Sequence, residues 1–172
     1  MFQKIHKKTK VSNPFGIHPK SPEIKMALSA TWRHGRERLD WILANNLACA
    51  YTPHPDRMDE IYGRLFPYIE RGMDVRHHGY FPGKEIGNAH HGAAEKALQL
   101  HFRSMEAILG TGEPVMTVHV GLDRTLPLDH HRVTENLTRL VEYGKKCGIQ
   151  VNLENLKSGP TSHPETLLEW VD

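Results

Sequence analysis

The sequence predicts an α/β fold built on a parallel sheet, and three observations predict it. Five short apolar runs alternate with longer segments whose apolar residues recur at helical spacing. The connections are short, the pattern of a parallel sheet covered by helices. The stretch from Pro114 to Lys157 reads as PVMTVHVGL, an amphipathic segment and then GIQVNLENLK: a strand, a helix and a second strand. Such a βαβ unit has parallel strands and a right-handed crossover. Its two runs end in His119 and Glu154, which therefore emerge at the same C-terminal edge. That edge is where parallel α/β folds place their chemistry.

Each element has its own signal. Residues 1–23 carry no periodic pattern, and Asn13-Pro14, His18-Pro19 and Ser21-Pro22 break any helix, so a tail or strap is expected ahead of a domain spanning 24–172. Ile24 to Ala30 is a first strand. Leu39, Ile42 and Leu43 mark a helix starting after Gly35. Leu47 to Thr52 is a second strand, stopped by Pro53. Asp56 to Arg71 is a helix with Met58, Ile61, Leu65 and Ile69 on one face, Asp56 as its cap and Gly72 as its stop. Met73 to His78 is a third strand, followed by the loop GYFPGKEIGNAHHG. Ala93 to Leu109 is a long helix with Ala97, Leu100, Met105 and Ile108 inward. Val115 to Val120, a helix from Asp129 to Lys146 and Gln150 to Leu153 complete the βαβ unit. A last helix begins at Pro164.

Composition bounds the function. With 172 residues the chain can bury a substantial core. Lys+Arg number 22 against 20 Asp+Glu, and the net charge of +2 points to neither nucleic acid nor membrane. No apolar run approaches the roughly 18 residues of a membrane span. Cys49 and Cys147 lack CxxC spacing and read as reduced thiols, which places the protein in the cytoplasm. No GxGxxG follows the first strand and no Walker A motif is present, which weakens a dinucleotide or P-loop reading. Two architectures fit the alternation, an open doubly wound sheet and a (β/α)8 barrel. A whole barrel takes about 250 residues. The expectation is a barrel represented by its first five β/α units, or one completed by another chain.

Three short motifs fall in order at the ends of strands three, four and five: RHHGYF at Arg76 to Phe81, TVHVG at Thr117 to Gly121 and NLENL at Asn152 to Leu156. Together they resemble the xylose isomerase-like superfamily of TIM barrels, which includes sugar (phosphate) isomerases and epimerases and the apurinic endonucleases of the endonuclease IV type. The resemblance covers about residues 24–172. In the endonuclease branch it implies that His78 and His119 bind metal and that Glu154 bridges metals. In the epimerase branch it implies that Glu154 is both a metal ligand and the acid/base on the substrate carbon. The family's remaining ligands come from strands six to eight, outside this sequence.

The residue chemistry stands beside that resemblance. A divalent ion (Zn, Mn, Co or Mg) needs three or four N/O ligands at one point, and adjacent strand ends bring them within reach. Glu154 after an apolar strand is either functional or half of an ion pair. His119 is a ligand or a hydrogen-bonded core histidine. Strand alternation puts one of His77 and His78 on the inner face, and the resemblance favours His78. Arg76 points the same way as His78 and holds a phosphate or an ion pair. Asn155 meets a substrate hydroxyl or holds its loop. Lys157 meets an anion or is solvated. Tyr80 and Phe81 wall a pocket or pack locally, and His90 and His91 cap a helix or face solvent. Three functions follow. The first is a metal-dependent isomerase or epimerase acting on a small sugar or sugar phosphate, with Glu154 moving the proton. The second is an abasic-site endonuclease, against which the charge balance speaks. The third is a non-catalytic piece that pairs with itself or a partner through open sheet edges.

Overall fold

The computed structural model describes residues 26–170. The tail or strap expected over 1–23 lies outside them. Five parallel strands alternate with helices: β1 (Ala27–Thr31), α1 (Arg36–Ala44), β2 (Ala48–Thr52), α2 (Ile61–Ile69), β3 (Val75–Gly79), α3 (His91–Ala107), β4 (Val115–Val118), α4 (His130–Cys147), β5 (Gln150–Leu153) and α5 (Pro164–Leu168). The sheet order is β1-β2-β3-β4-β5, so each strand pairs with the next in sequence. Every pair is parallel. This is the order of consecutive β/α units in a (β/α)8 barrel, and the alternative of a doubly wound sheet, whose strand order reverses, is set aside.

The two faces of the sheet differ because successive side chains alternate. Ala30, Cys49, Tyr51, Val75, His77, Met116 and Val118 point to the helices and are buried. They pack in one core with Leu39, Ile42, Leu65, Leu98, Met105, Val133 and Leu140. The opposite face carries Ser29 level with Arg76 and, in the next row, His78, Thr117 and Asn152 level with one another. It is small or polar, and Ser29, Arg76 and Asn152 are exposed.

Several ends differ from the sequence expectation, each for a local reason. β3 starts at Val75 because the Met73 N–H is taken by the Tyr68 carbonyl at 3.0 Å, closing α2. The segment expected as one helix from Asp56 begins with a 3-10 turn, Met58–Glu60, and becomes α-helical at Ile61. Asp56 does not cap it: its backbone N–H instead donates to His54 Nδ1 at 3.2 Å. α3 begins at His91, and His90 caps it, its Nδ1 accepting from the Ala93 N–H at 3.3 Å. α4 is capped by Asp129, which accepts from the Arg132 N–H at 3.1 Å, and ended by Gly148 at φ 72°. β4 leaves the ladder after Val118, which frees His119 and Val120 from strand geometry.

Cys49 and Cys147 are free thiols. Among the described residues no helix is long and apolar enough to cross a membrane.

Two glycines before β4 offer a direct check on the backbone. Gly112 has φ 135°, and a Cβ there would lie 2.4 Å from the Val75 carbonyl oxygen; Gly110, at φ 73°, has nothing within 4 Å. Gly112→Ala is expected to cost about 2–4 kcal/mol from strain plus overpacking, and Gly110→Ala about 1 kcal/mol from strain alone. Urea melts of the two variants should separate them in that order.

Candidate metal centre

Three of the predicted residues meet at the C-terminal edge of the sheet. His78 belongs to β3, His119 follows β4 and Glu154 follows β5. His78 Nε2 lies 2.6 Å from His119 Nε2 and 3.3 Å from Glu154 Oε2, and His119 Nε2 lies 4.0 Å from the same carboxylate oxygen. They are the metal-competent cluster among the described residues. Backbone pairing builds it. The Glu154 N–H donates to the Val118 carbonyl at 3.0 Å, which sets Glu154 beside the residue that follows Val118.

The arrangement also fixes a tautomer. His119 Nδ1 faces the Glu154 carbonyl at 3.3 Å. A carbonyl only accepts, so Nδ1 carries the proton and neutral His119 offers the Nε2 lone pair to the cluster. His119 is 7% exposed, and its pKa is lowered by burial first and by His78 second, with Glu154 opposing. The neutral ring is the metal-binding form.

The donor set fits a divalent cation. Two imidazole nitrogens and a carboxylate are borderline N/O ligands suited to Zn, Mn or Co. Tetrahedral bonds of about 2.0–2.2 Å would put ligand atoms about 3.3–3.6 Å apart. The observed separations of 2.6, 3.3 and 4.0 Å bracket that range. With Nδ1 of His119 protonated, at most the His78 Nε2 proton is left to share among three facing lone-pair atoms, a poor arrangement without a cation.

The other predicted residues divide. His77 points to the helix side, where Thr111 lies: its Nε2–H donates to the Thr111 carbonyl at 3.0 Å. Arg76 shares the face of His78, but its Nε–H donates to Glu113 at 2.9 Å. Glu113 precedes β4, so the guanidinium is drawn toward the opposite edge of the sheet from the cluster; of the two roles open to Arg76, the ion pair is the one made. Asn155 and Lys157 lie in the loop after Glu154, both exposed. Tyr80 stands edge-on to His119, with ring centroids 5.9 Å apart and planes at 88°. It also walls a cleft of about 420 Å³ with Thr31, Trp32, Thr52, His54 and Phe81, at the ends of β1, β2 and β3. A larger cleft of about 630 Å³ runs along α3 and is lined by none of these three residues; the convergence of donor groups, not volume, marks the candidate site.

Two residues near the centre were not picked out from sequence. His101 of α3 is buried beneath Gly79, where a Cβ would come within 3.1 Å of its Nδ1. Its place between Ala97 and Met105 on the inward stripe was the available signal. Glu85 is 2% exposed and accepts backbone N–H groups from the β4 loop. Nothing local in KEIGN foretells that.

No family model and no curated protein matches the sequence. Solved structures do match. A D-tagatose 3-epimerase-like protein aligns at TM-score 0.69 with 16% identity, over 87% of this chain and 60% of its own. The TTHB071 protein of Thermus thermophilus, soaked with ZnCl2, aligns at 0.68 with 17% identity, over 86% and 62%. The 3-keto-D-glucoside 4-epimerase YcjR of E. coli aligns at 0.63 with 18% identity, over 78% and 57%. The chain has the fold of these TIM-barrel proteins. It spans about 60% of the length of the structures it matches. At these identities the likeness concerns the fold, which is the one the three motifs implied.

Burial gives the site a pH signature. His77 and His101 both have pKa values pushed down to about 4, by burial in each case. In the unfolded chain they titrate near the ordinary value of about 6.5. Between these values the unfolded state binds more protons, so stability is full above about pH 6.5 and falls as pH drops toward 4. His101→Leu should lose less stability than wild type between pH 7 and pH 5 in denaturant melts. An unchanged pH dependence would mean that His101 is not buried neutral.

Proposed function

We propose that this chain contributes His78, His119 and Glu154 to the metal site of a sugar (phosphate) epimerase or isomerase, with Glu154 as the proton-transferring base. The observation that carries the reading is the convergence of these three side chains at the C-terminal edge, on a fold whose solved neighbours include sugar epimerases. A bound divalent cation would polarise the carbonyl and hydroxyl oxygens of a ketose and so lower the cost of removing the proton from the carbon between them.

The protein's own groups supply the rest. Glu154 faces the histidines through Oε2, and Oε1 makes no hydrogen bond among the described residues. Its side chain is 54% exposed, so Oε1 is open to take a carbon-bound proton and return it. Tyr80 stands edge-on to His119 and lines the cleft at β1 to β3, which has the size for a small sugar. Asn155 and Lys157, on the loop after Glu154, stand where a substrate hydroxyl and an anionic group would be met. Arg76 joins them only by releasing Glu113.

Calorimetric titration with Zn, Mn, Co and Mg should show one ion bound per chain. Glu154→Ala and His119→Ala should each weaken binding by at least about tenfold. Deuterium uptake at carbon by D-tagatose or D-psicose in heavy water should depend on Glu154 and stop in Glu154→Gln. Metal binding that survives both substitutions would remove this site from consideration.

A further inference from the structure

The turn that follows His119 is held by side chains from the loops on either side. Glu85, in the loop between β3 and α3, accepts the Gly121 N–H on Oε2 at 2.9 Å and the Asp123 N–H on Oε1 at 2.8 Å. Thr161, beyond β5, donates its hydroxyl to the Val120 carbonyl at 2.9 Å. Gly121 has φ 78°, so the backbone leaves strand geometry here and cannot use the ladder to satisfy these groups. Glu85 is 2% exposed and Thr161 is wholly buried.

A buried carboxylate is costly unless its partners repay the lost hydration, and two charge-assisted backbone bonds do so. Other ties join the β3–α3 loop to Asp129 and α4, farther along the chain from His119. Asn136 Nδ2 donates to the Ile86 carbonyl at 2.7 Å, and the Asp129 N–H donates to the Gly87 carbonyl at 2.8 Å. These suffice to dock the β3 loop on α4. The Glu85 bonds differ in acting two and four residues from the ligand.

We infer that Glu85 is a positioning residue for the metal centre: by clamping the 121–123 turn it holds His119 Nδ1 on the Glu154 carbonyl and Nε2 toward His78 and Glu154. The inference rests on the metal reading above. Glu85 touches neither metal nor substrate in this role.

The test compares Glu85→Gln with Asn136→Ala, which cuts a tie of the same β3–α3 loop to α4 instead of to the 121–123 turn. Two readouts are taken at matched folded fraction. The first is Co(II) affinity and its visible ligand-field spectrum. The second, in metal-free protein, is the ring-nitrogen NMR signals of His119, which report the Nδ1–H tautomer. In Glu85→Gln one backbone N–H meets an amide NH2 in place of a carboxylate oxygen. The expected result is Co(II) binding about 10- to 100-fold weaker, a changed spectrum and His119 signals of mixed tautomer. Asn136→Ala should stay within about threefold of wild type with an unchanged spectrum. Wild-type affinity, spectrum and tautomer in Glu85→Gln overturn the inference, as does an equal loss in Asn136→Ala. If Glu85→Gln does not fold, Glu85→Asp, which keeps the charge but draws the carboxylate back from the Gly121 and Asp123 N–H groups, takes its place with the same criteria. A wild-type chain that binds no Co(II) overturns the metal reading instead, and the His119 signals then decide the role of Glu85 alone.

Discussion

The end of the β4–β5 ladder governs the site. The Glu154 N–H bonds to the Val118 carbonyl, and the Glu154 carbonyl receives the proton of His119 Nδ1. The first bond fixes the stagger of two neighbouring strands. The second uses that stagger to orient an imidazole. A slip by one residue would turn Glu154 to the helix side and bring Leu153 or Asn155 to the cluster, because strand side chains alternate faces. The register that packs Val118 into the core therefore also presents His119 and Glu154 at the edge.

The two faces of the sheet separate stability from chemistry. The helix side is nearly all apolar, and its one buried histidine from a strand, His77, is neutral and bonded to Thr111. The other side carries small and polar groups, with His78, His119 and Glu154 at its C-terminal end. His77 and His78 are adjacent in sequence and meet opposite fates because the strand sends them to opposite faces. Desolvation holds the first uncharged, while the second keeps a carboxylate and another imidazole as neighbours.

The loops after β3, β4 and β5 behave as one assembly. Glu85 reaches from the first to the second, Thr161 from beyond the third to the second, and His119 from the second to Glu154. His78 at the end of β3 and His119 and Glu154 on the two following loops then share one frame, and preorganisation of that kind keeps the cost of gathering such groups low. Tyr80 closes the frame on the side of the neighbouring cleft.

Much of this was legible from residues alone. Alternating apolar runs and helical spacings gave five β/α units, since period 2 and period 3.6 are local properties of the chain. Strand parity put one of His77 and His78 on the inner face, and the family resemblance carried by three strand-end motifs pointed to His78, His119 and Glu154. Other features needed the folded chain. Asp56 was a plausible cap by type, but the chain enters that helix through a 3-10 turn, and Asp129 and His90 show that cap geometry decides. Arg76 had two partners open to it until Glu113, 37 residues away, was brought within 2.9 Å. Glu85 gave no sign in sequence because its bonds run to backbone N–H groups far along the chain, and His101 showed only its place on the inward stripe of α3. The sequence determined the elements, their parity and the residue types at the edge, all set by neighbours a few positions apart. The tertiary structure decided which donors meet at one point and which side chains hold them there, because those contacts join residues more than thirty positions apart and exist only once the strands have found their register.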